Sequence, residues 1–268
     1  MLRSVFTTAL WSRRRSLAWW TGGSFVYVFF LGSVFPTVRN NAEGIDALVK
    51  SYPEALKKMF GLDAGISFTT GAGFLHMELF SFIIPLLLLA FAVGFGARAL
   101  AGEEEDGTLD LVLSGPITRR SVLIQQFASM LVTTALLGLA MMLAILLAGA
   151  AFDMSLDPGK VAAAMFVSVL IGLVFGSLAM AVGAVTGHRG LTMGVAGAVA
   201  LAAYLVFSLA DMVSWLGTVQ KVLPWYYYAE SKAILNGLNW AHVGVMVAII
   251  AVLPVVGLAV FERRDLAV

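Results

Sequence analysis

Apolar stretches long enough to cross a lipid bilayer recur along this chain, and they constrain its fold more than any other feature. A helix rises 1.5 Å per residue and a hydrocarbon core is about 30 Å thick, so a span needs about 20 residues. Stretches of that length lie at 17–36, 77–101, 121–150, 161–186, 191–210 and 241–261. The pattern predicts an all-α polytopic membrane protein of six transmembrane helices. It forms one transmembrane domain over 1–268, with no room for a separate soluble domain. Composition agrees: 60% of the residues are hydrophobic, against about 45–50% in soluble domains. Pro85 inside the second stretch predicts a kink, because proline removes a backbone hydrogen bond. The third stretch, at about 45 Å, is longer than the hydrocarbon core and must tilt or project.

The segments between the spans carry their own signals. Leu2, Val5, Phe6, Ala9 and Leu10 share one helical face, surrounded by Arg3, Arg13, Arg14 and Arg15. Two compatible readings follow: an amphipathic helix on the membrane surface ahead of the first span, or a basic flank that orients that span. In the loop 37–76, Ile45, Leu48, Val49 and Tyr52 share a face, as do Leu56, Met59 and Phe60, which predicts two short amphipathic helices. Gly172 and Gly176, Gly183 and Gly187, and Gly190 and Gly194 are spaced four apart, a pattern that lets helices of one chain approach closely. In and beside the connector 211–240, Trp215, Trp225, Tyr226, Tyr227, Tyr228 and Trp240 suit the headgroup level.

Charge sets the topology. Six spans leave both termini on one side. Arg3, Arg13, Arg14, Arg15, Arg98, Arg119, Arg120, Arg189, Arg263 and Arg264 fall on that side, in short flanks. Arg39, Lys50, Lys57, Lys58, Lys160, Lys221 and Lys232 fall on the other, spread over long loops. Positive charge in short flanks is retained inside, so both termini are expected in the cytoplasm. Zero cysteines exclude disulfides and thiolate chemistry. The chain has no P-loop motif and no His-Glu-x-x-His, and its basic residues form no nucleic-acid patch. The spans are nearly free of charge, which argues against a carboxylate proton relay and for an energy source outside the bilayer.

The densest charge lies in the connector 102–120, whose residues 103–120 read EEEDGTLDLVLSGPITRR. Gly107 can end one helix and Thr108 can cap the next; Leu109, Leu111, Val112 and Leu113 form a short apolar patch stopped by Gly115 and Pro116. Thr118 can cap a further helix starting at Arg119 and Arg120. Glu103, Glu104, Glu105 and Asp106 sit at a helix C-terminus, where negative charge opposes the dipole. Their candidate partners are Arg119 and Arg120, Arg13 to Arg15, a partner protein's basic residues, or water.

This order of glutamates, Gly-Thr-Leu, apolar run, proline and paired arginines resembles the first cytoplasmic loop of permease subunits of ABC-2 type ATP-binding-cassette transporters. The resemblance extends to SYPEALKKMFG followed by Gly-Phe-Leu in the first external loop, to PWYYYAESKAILNG before the last span, and to the ending FERRDLAV. It implies a type V exporter-like architecture in a bacterial-type inner (cytoplasmic) membrane. It implies docking of an ATPase subunit on Glu103 to Leu109, Leu111, Pro116, Arg119 and Arg120. It also implies short re-entrant or interfacial helices around Trp225 to Tyr228 on the exit side. By the same resemblance the permease pairs with a second permease and two ATPase subunits. ATP and magnesium belong to those ATPases, and this chain holds no cofactor of its own. An apolar path implies a hydrophobic or amphipathic cargo such as a drug, antibiotic or lipid-like molecule. The family also includes permeases serving copper-enzyme maturation and sodium export.

Two rival classes make different demands. An intramembrane protease or lipid transferase needs convergent polar residues at membrane depth, and the sequence offers no such motif. A membrane scaffold or sensor needs no ATPase partner.

Overall fold

A computed structural model of the protein describes residues 4–41, 44, 47, 51–53, 67–210 and 212–264. Leu2, Arg3 and, apart from Tyr52, the amphipathic faces expected over 45–60 lie outside the described residues. Among those residues every regular element is a helix. Six segments are long and apolar enough to span a membrane: Val5–Asn40, Gly71–Glu105, Arg119–Ala151, Pro158–Thr186, Arg189–Leu209 and Trp240–Phe261. These are the first to sixth spans.

The start of the first span, the start of the third and the end of the sixth meet at one end of the bundle, called here the near end. The Phe6 amide donates to Gln125 Oε1 at 3.1 Å, and Arg119 Nη1 donates to the carbonyls of Phe261 and Arg264 at 2.7 and 2.5 Å. At the far end Arg39 donates to the Asp153 carbonyl at 3.3 Å, joining the ends of the first and third spans.

The first span corrects one expectation. Val5–Asn40 is a single helix of 36 residues, so residues 5–16 are continuous with the first span rather than a separate helix. Ser4 caps it by accepting the Thr7 amide at 3.2 Å, and no proline interrupts the turns that follow until Pro36. Once nucleated, a helix gains a hydrogen bond for each residue it adds, so it propagates through the arginines into the apolar stretch. Part of the face of Val5, Phe6, Ala9 and Leu10 turns toward protein. Ala9 is buried, Val5 packs on the core, and Ser129 Oγ donates to the Phe6 carbonyl at 3.2 Å.

The second span is longer than 77–101 and is irregular. A wide turn at His76–Phe80 ends with the Ser81 amide bonding the His76 carbonyl at 2.8 Å, five residues back. Phe82, at φ −145°, breaks the helix, and Ile83–Ala97 restarts it. Pro85 therefore lies in a first turn, where its missing N–H costs little, and the interruption falls three residues before it. A second wide turn, Arg98–Gly102, leads to Glu105.

The fourth span is the axis of the bundle. Its apolar window is 83% buried, against 28% for the first, 22% for the fifth and 28% for the sixth. Small residues make that burial possible. A Cβ at Gly96 would lie 2.3 Å from the Gly176 carbonyl oxygen, and one at Gly257 would lie 2.9 Å from Ala181 Cα. The spacing of Gly172 and Gly176 thus packs the fourth span on Leu88 and Ala92 of the second. Gly190 and Gly194 meet nothing within 4 Å, so that pair of the pattern is open. Backbones this close gain dispersion over their whole contact length, which is how helices associate where water supplies no driving force.

Candidate functional site

The near-end connector is a helix end, a turn, a short helix and a break, in the predicted order. Gly107 adopts φ +67°, ψ 9°, a conformation that side chains resist, and it redirects the chain after Glu105. The short helix Thr108–Leu113 follows. Thr108 corrects one detail: its hydroxyl donates back to the Glu103 carbonyl at 3.0 Å instead of capping the new helix, whose cap residue is Gly107. Leu109 is completely buried, whereas Leu111 is 75% exposed. One side of this helix is thus anchored in the core and the other presents an apolar knob. Gly115 and Pro116 carry the chain to Thr118, whose hydroxyl accepts the Ser121 amide at 3.2 Å and caps the third span at Arg119.

The acids are engaged within the chain. Glu104 forms an ion pair with Arg264, whose Nη1 also donates to the Val185 carbonyl at 3.1 Å. Glu105 Oε1 accepts the Arg189 amide at 3.0 Å and lies 3.6 Å from His188 Nδ1. Glu103 Oε1 accepts from Gln126 Nε2 at 2.9 Å and lies within electrostatic reach of Arg13. Asp106 is exposed.

Arg119 and Arg120 are not the partners of these acids. Arg119 lies 5.5 Å over the Phe261 ring and binds the carbonyls that end the sixth span, while Arg120 is exposed. Of the entry arginines, Arg13 approaches the acids, Arg14 stacks on Trp11 at 3.5 Å, and Arg15 is exposed.

Gly187 shows how tightly these parts meet. It ends the fourth span at φ +67°, and a Cβ there would lie 2.7 Å from Arg264 Nη1 and 2.8 Å from Glu104 Oε2. The end of the second span, the turn between the fourth and fifth, and the end of the sixth thus converge on one ion pair. Sequence reasoning missed Arg264, His188 and Gln126 as part of this site.

The far-end connector holds short helices where they were expected, but two of its rings are buried. Pro224–Ala229 and Ala233–Asn236 are short helices packed against the bundle. Trp225 and Tyr228 are buried rather than placed at a headgroup surface. Tyr228 Oη donates to the Phe80 carbonyl at 2.5 Å and lies 3.2 Å from Ser168 Oγ, which satisfies a carbonyl near the break in the second span. Burial pushes the Tyr228 hydroxyl above the ordinary tyrosine range, so it remains a donor. Trp225 makes edge contacts with Tyr204 and Tyr228, at 5.2 and 5.9 Å between centroids. Tyr226 and Tyr227 are half-buried, and the Tyr227 hydroxyl donates to the Lys221 carbonyl at 2.7 Å. Trp215 and Trp240 are exposed, as a headgroup belt requires.

An apolar groove of about 520 Å³ opens between the first and second spans, lined by Trp19, Trp20, Gly23, Tyr27, Ile83 and Leu87 among others.

Six helices long and apolar enough to cross a membrane, tied by charge at one end and by buried aromatic rings at the other, define a multi-pass helical membrane protein. The model of the ABC-2 family transporter proteins matches residues 12–266. The chain belongs to that family and is a permease, a membrane transport subunit rather than a catalytic enzyme. No curated protein matches it.

Proposed function

We propose that this permease is the membrane half of an ATP-driven exporter and that its near-end connector is where an ATPase subunit docks. The observation that carries this reading is the short helix Thr108–Leu113. Leu109 is sealed in the core and Leu111 is 75% exposed outside the membrane-spanning stretches. An exposed leucine on an anchored helix suits a hydrophobic socket in a partner, and the ties of Glu104, Glu105 and Arg119 would pass a push on that helix to the second, fourth and sixth spans.

On this reading the near end is cytoplasmic, two ATPase subunits bind ATP and magnesium, and the protein resides in a cytoplasmic membrane. A second permease, identical or related, would face the lightly buried spans. The open glycines of the fifth span support such pairing, since Gly190, Gly194 and Gly197 meet nothing within 4 Å. The nearly uncharged spans favour a hydrophobic or amphipathic cargo, moved out past the far-end helices.

Leu111→Asp tests the reading. The variant is expected to insert normally, to lose co-purifying ATPase and to lose coupled hydrolysis. Normal association and coupling would show that the connector is not the dock.

A further inference from the structure

We propose that Arg13, Arg98 and Arg189 form the headgroup site of a bound anionic phospholipid, with one acyl chain lying in the groove between the first and second spans. The inference needs only a membrane around the six spans, not a direction of transport.

Three helices bring these arginines together. Arg13 of the first span sits 4.1 Å over the ring of Phe95, one turn before Arg98 in the second. At Gly102 a Cβ would lie 2.9 Å from Arg98 Cγ and 3.6 Å from Arg189 Cδ, so those two side chains flank the same patch. Arg13 is within electrostatic reach of Arg98, Arg189 and Glu103.

The cluster carries excess positive charge. Its nearest acids, Glu103 and Glu105, leave one of the three charges uncompensated: Glu103 lies within electrostatic reach of Arg13 and Arg98, and Glu105 accepts the Arg189 amide and faces His188. Among the described residues none of the three guanidinium groups has a carboxylate within ion-pair distance, and Arg189 Nε is buried without an acceptor. Like charges gathered at a low-dielectric boundary need an anion, and a guanidinium fork matches two phosphate oxygens.

Depth identifies the source of that anion. Arg13 precedes the apolar stretch that begins at Leu17, Arg98 lies in the last turn of the one that ends at Ala101, and Arg189 precedes the one that begins at Leu191. Each lies within about 6 Å, along its helix, of the hydrocarbon edge, where lipid phosphates sit. Trp11, 55% exposed and stacked on Arg14, marks the same interface. Basic pockets between helices at this depth bind anionic headgroups.

The groove supplies the second half of the site. Arg13, Trp20, Ser24 and Tyr27 share one face of the first helix, and the last three line the groove. It begins about 9 Å above Arg13 and extends to about 21 Å, the reach of an acyl chain below its phosphate. Its lining is almost wholly apolar, and Trp19 beside it is 82% exposed. A free anion would use the arginines and leave the groove to bulk lipid; a phospholipid fills both.

The test uses the full chain in nanodiscs of phosphatidylglycerol or phosphatidylcholine with identical acyl chains, read by native mass spectrometry. A parallel measurement uses phosphatidylglycerol brominated on its chains to quench tryptophan fluorescence. Wild type is expected to retain phosphatidylglycerol selectively and to be quenched. Arg13→Gln, Arg98→Gln and Arg189→Gln should each weaken retention about fivefold, from the usual gain per basic residue at an anionic surface. The corresponding lysine variants should keep most of it, and Lys160→Gln, at an exposed cation of the far end, should leave lipid retention unchanged. Because Arg98 is exposed, its variant tests the site without disturbing the core.

Equal retention of the two lipids, or unchanged retention in the glutamine variants, overturns the proposal. Displacement by inorganic phosphate without chain quenching also overturns it in favour of a soluble anion. Loss of a co-purifying protein at unchanged lipid retention overturns it in favour of a protein contact.

Discussion

Gly96 and Gly94 stand two residues apart in the second span and should respond oppositely to the same mutation. A Cβ at Gly96 would lie 2.3 Å from the Gly176 carbonyl oxygen and 3.0 Å from the Met180 amide nitrogen, where ordinary contact begins at 3.4 Å. Both obstacles are backbone of the most buried helix, so neither can swing aside. The second and fourth spans must separate by about 1 Å, an overpacking that costs about 1–3 kcal/mol. A Cβ at Gly94 meets nothing within 4 Å. Each replacement by alanine gains a similar helix propensity, about 1 kcal/mol. That gain cancels when the variants are compared with each other, and the difference between them isolates the packing cost. Gly96→Ala should therefore unfold about 1–3 kcal/mol more easily than Gly94→Ala, with the latter at or above wild type. Thermal unfolding in detergent, followed by the intrinsic fluorescence of the six tryptophans, measures it. Equal stability of the two variants would refute a backbone contact this close.

Other positions probe the two ends. Gly107→Val has no steric obstacle, so its effect comes from holding a β-branched residue at φ +67°; it should cost about 1–2 kcal/mol locally, leave insertion intact and uncouple ATP hydrolysis measured with the partner. Tyr228→Phe should lower stability by about 1–3 kcal/mol, because the Phe80 carbonyl loses its donor in a buried site. The raised folded-state pKa of Tyr228 makes its contribution fully present below the ordinary value of 10.0 and lost as pH rises above it, so the phenylalanine variant should show a shallower alkaline decline in unfolding scans. On a chain without cysteine, Ser4→Cys should resist an impermeant maleimide in intact cells; labelling there would reverse the proposed orientation.

Features set by local physics were legible in the sequence. The length of each apolar stretch located the spans, because the bilayer imposes that length on any helix crossing it. Gly107 and the Thr118 cap were legible because each acts on neighbours within a few residues. Gly172 and Gly176 were legible because spacing alone puts small residues on one face. The Glu104–Arg264 pair was not, since it joins residues 160 apart and depends on where two helices end in space. The first helix admits two readings for a related reason: an apolar face flanked by arginines describes a helix on lipid and a helix on protein equally well. Gln125 and Ser129, which decide between them, come from another span. Trp225 and Tyr228 carry the same ambiguity, because a ring with a polar tip suits a headgroup surface or a buried site with one acceptor.

The distribution of polar ties bears on how a push at the connector would travel. At the near end Glu104, Glu105 and Arg119 join the second span to the turn after the fourth, and the third to the sixth. Deeper in, the contacts of the fourth span with its neighbours are mainly apolar and, at the glycines, backbone against backbone. Close-packed interiors transmit displacement rather than absorb it. A tilt imposed on Thr108–Leu113 would thus move these spans together as one lever. At its far end Tyr228 holds the carbonyl of Phe80, beside the break at Phe82 where the second span has least helix to resist bending. The break and the tyrosine together form the natural hinge of the second span. On this argument Tyr228→Phe should alter transport even at temperatures where the protein remains folded.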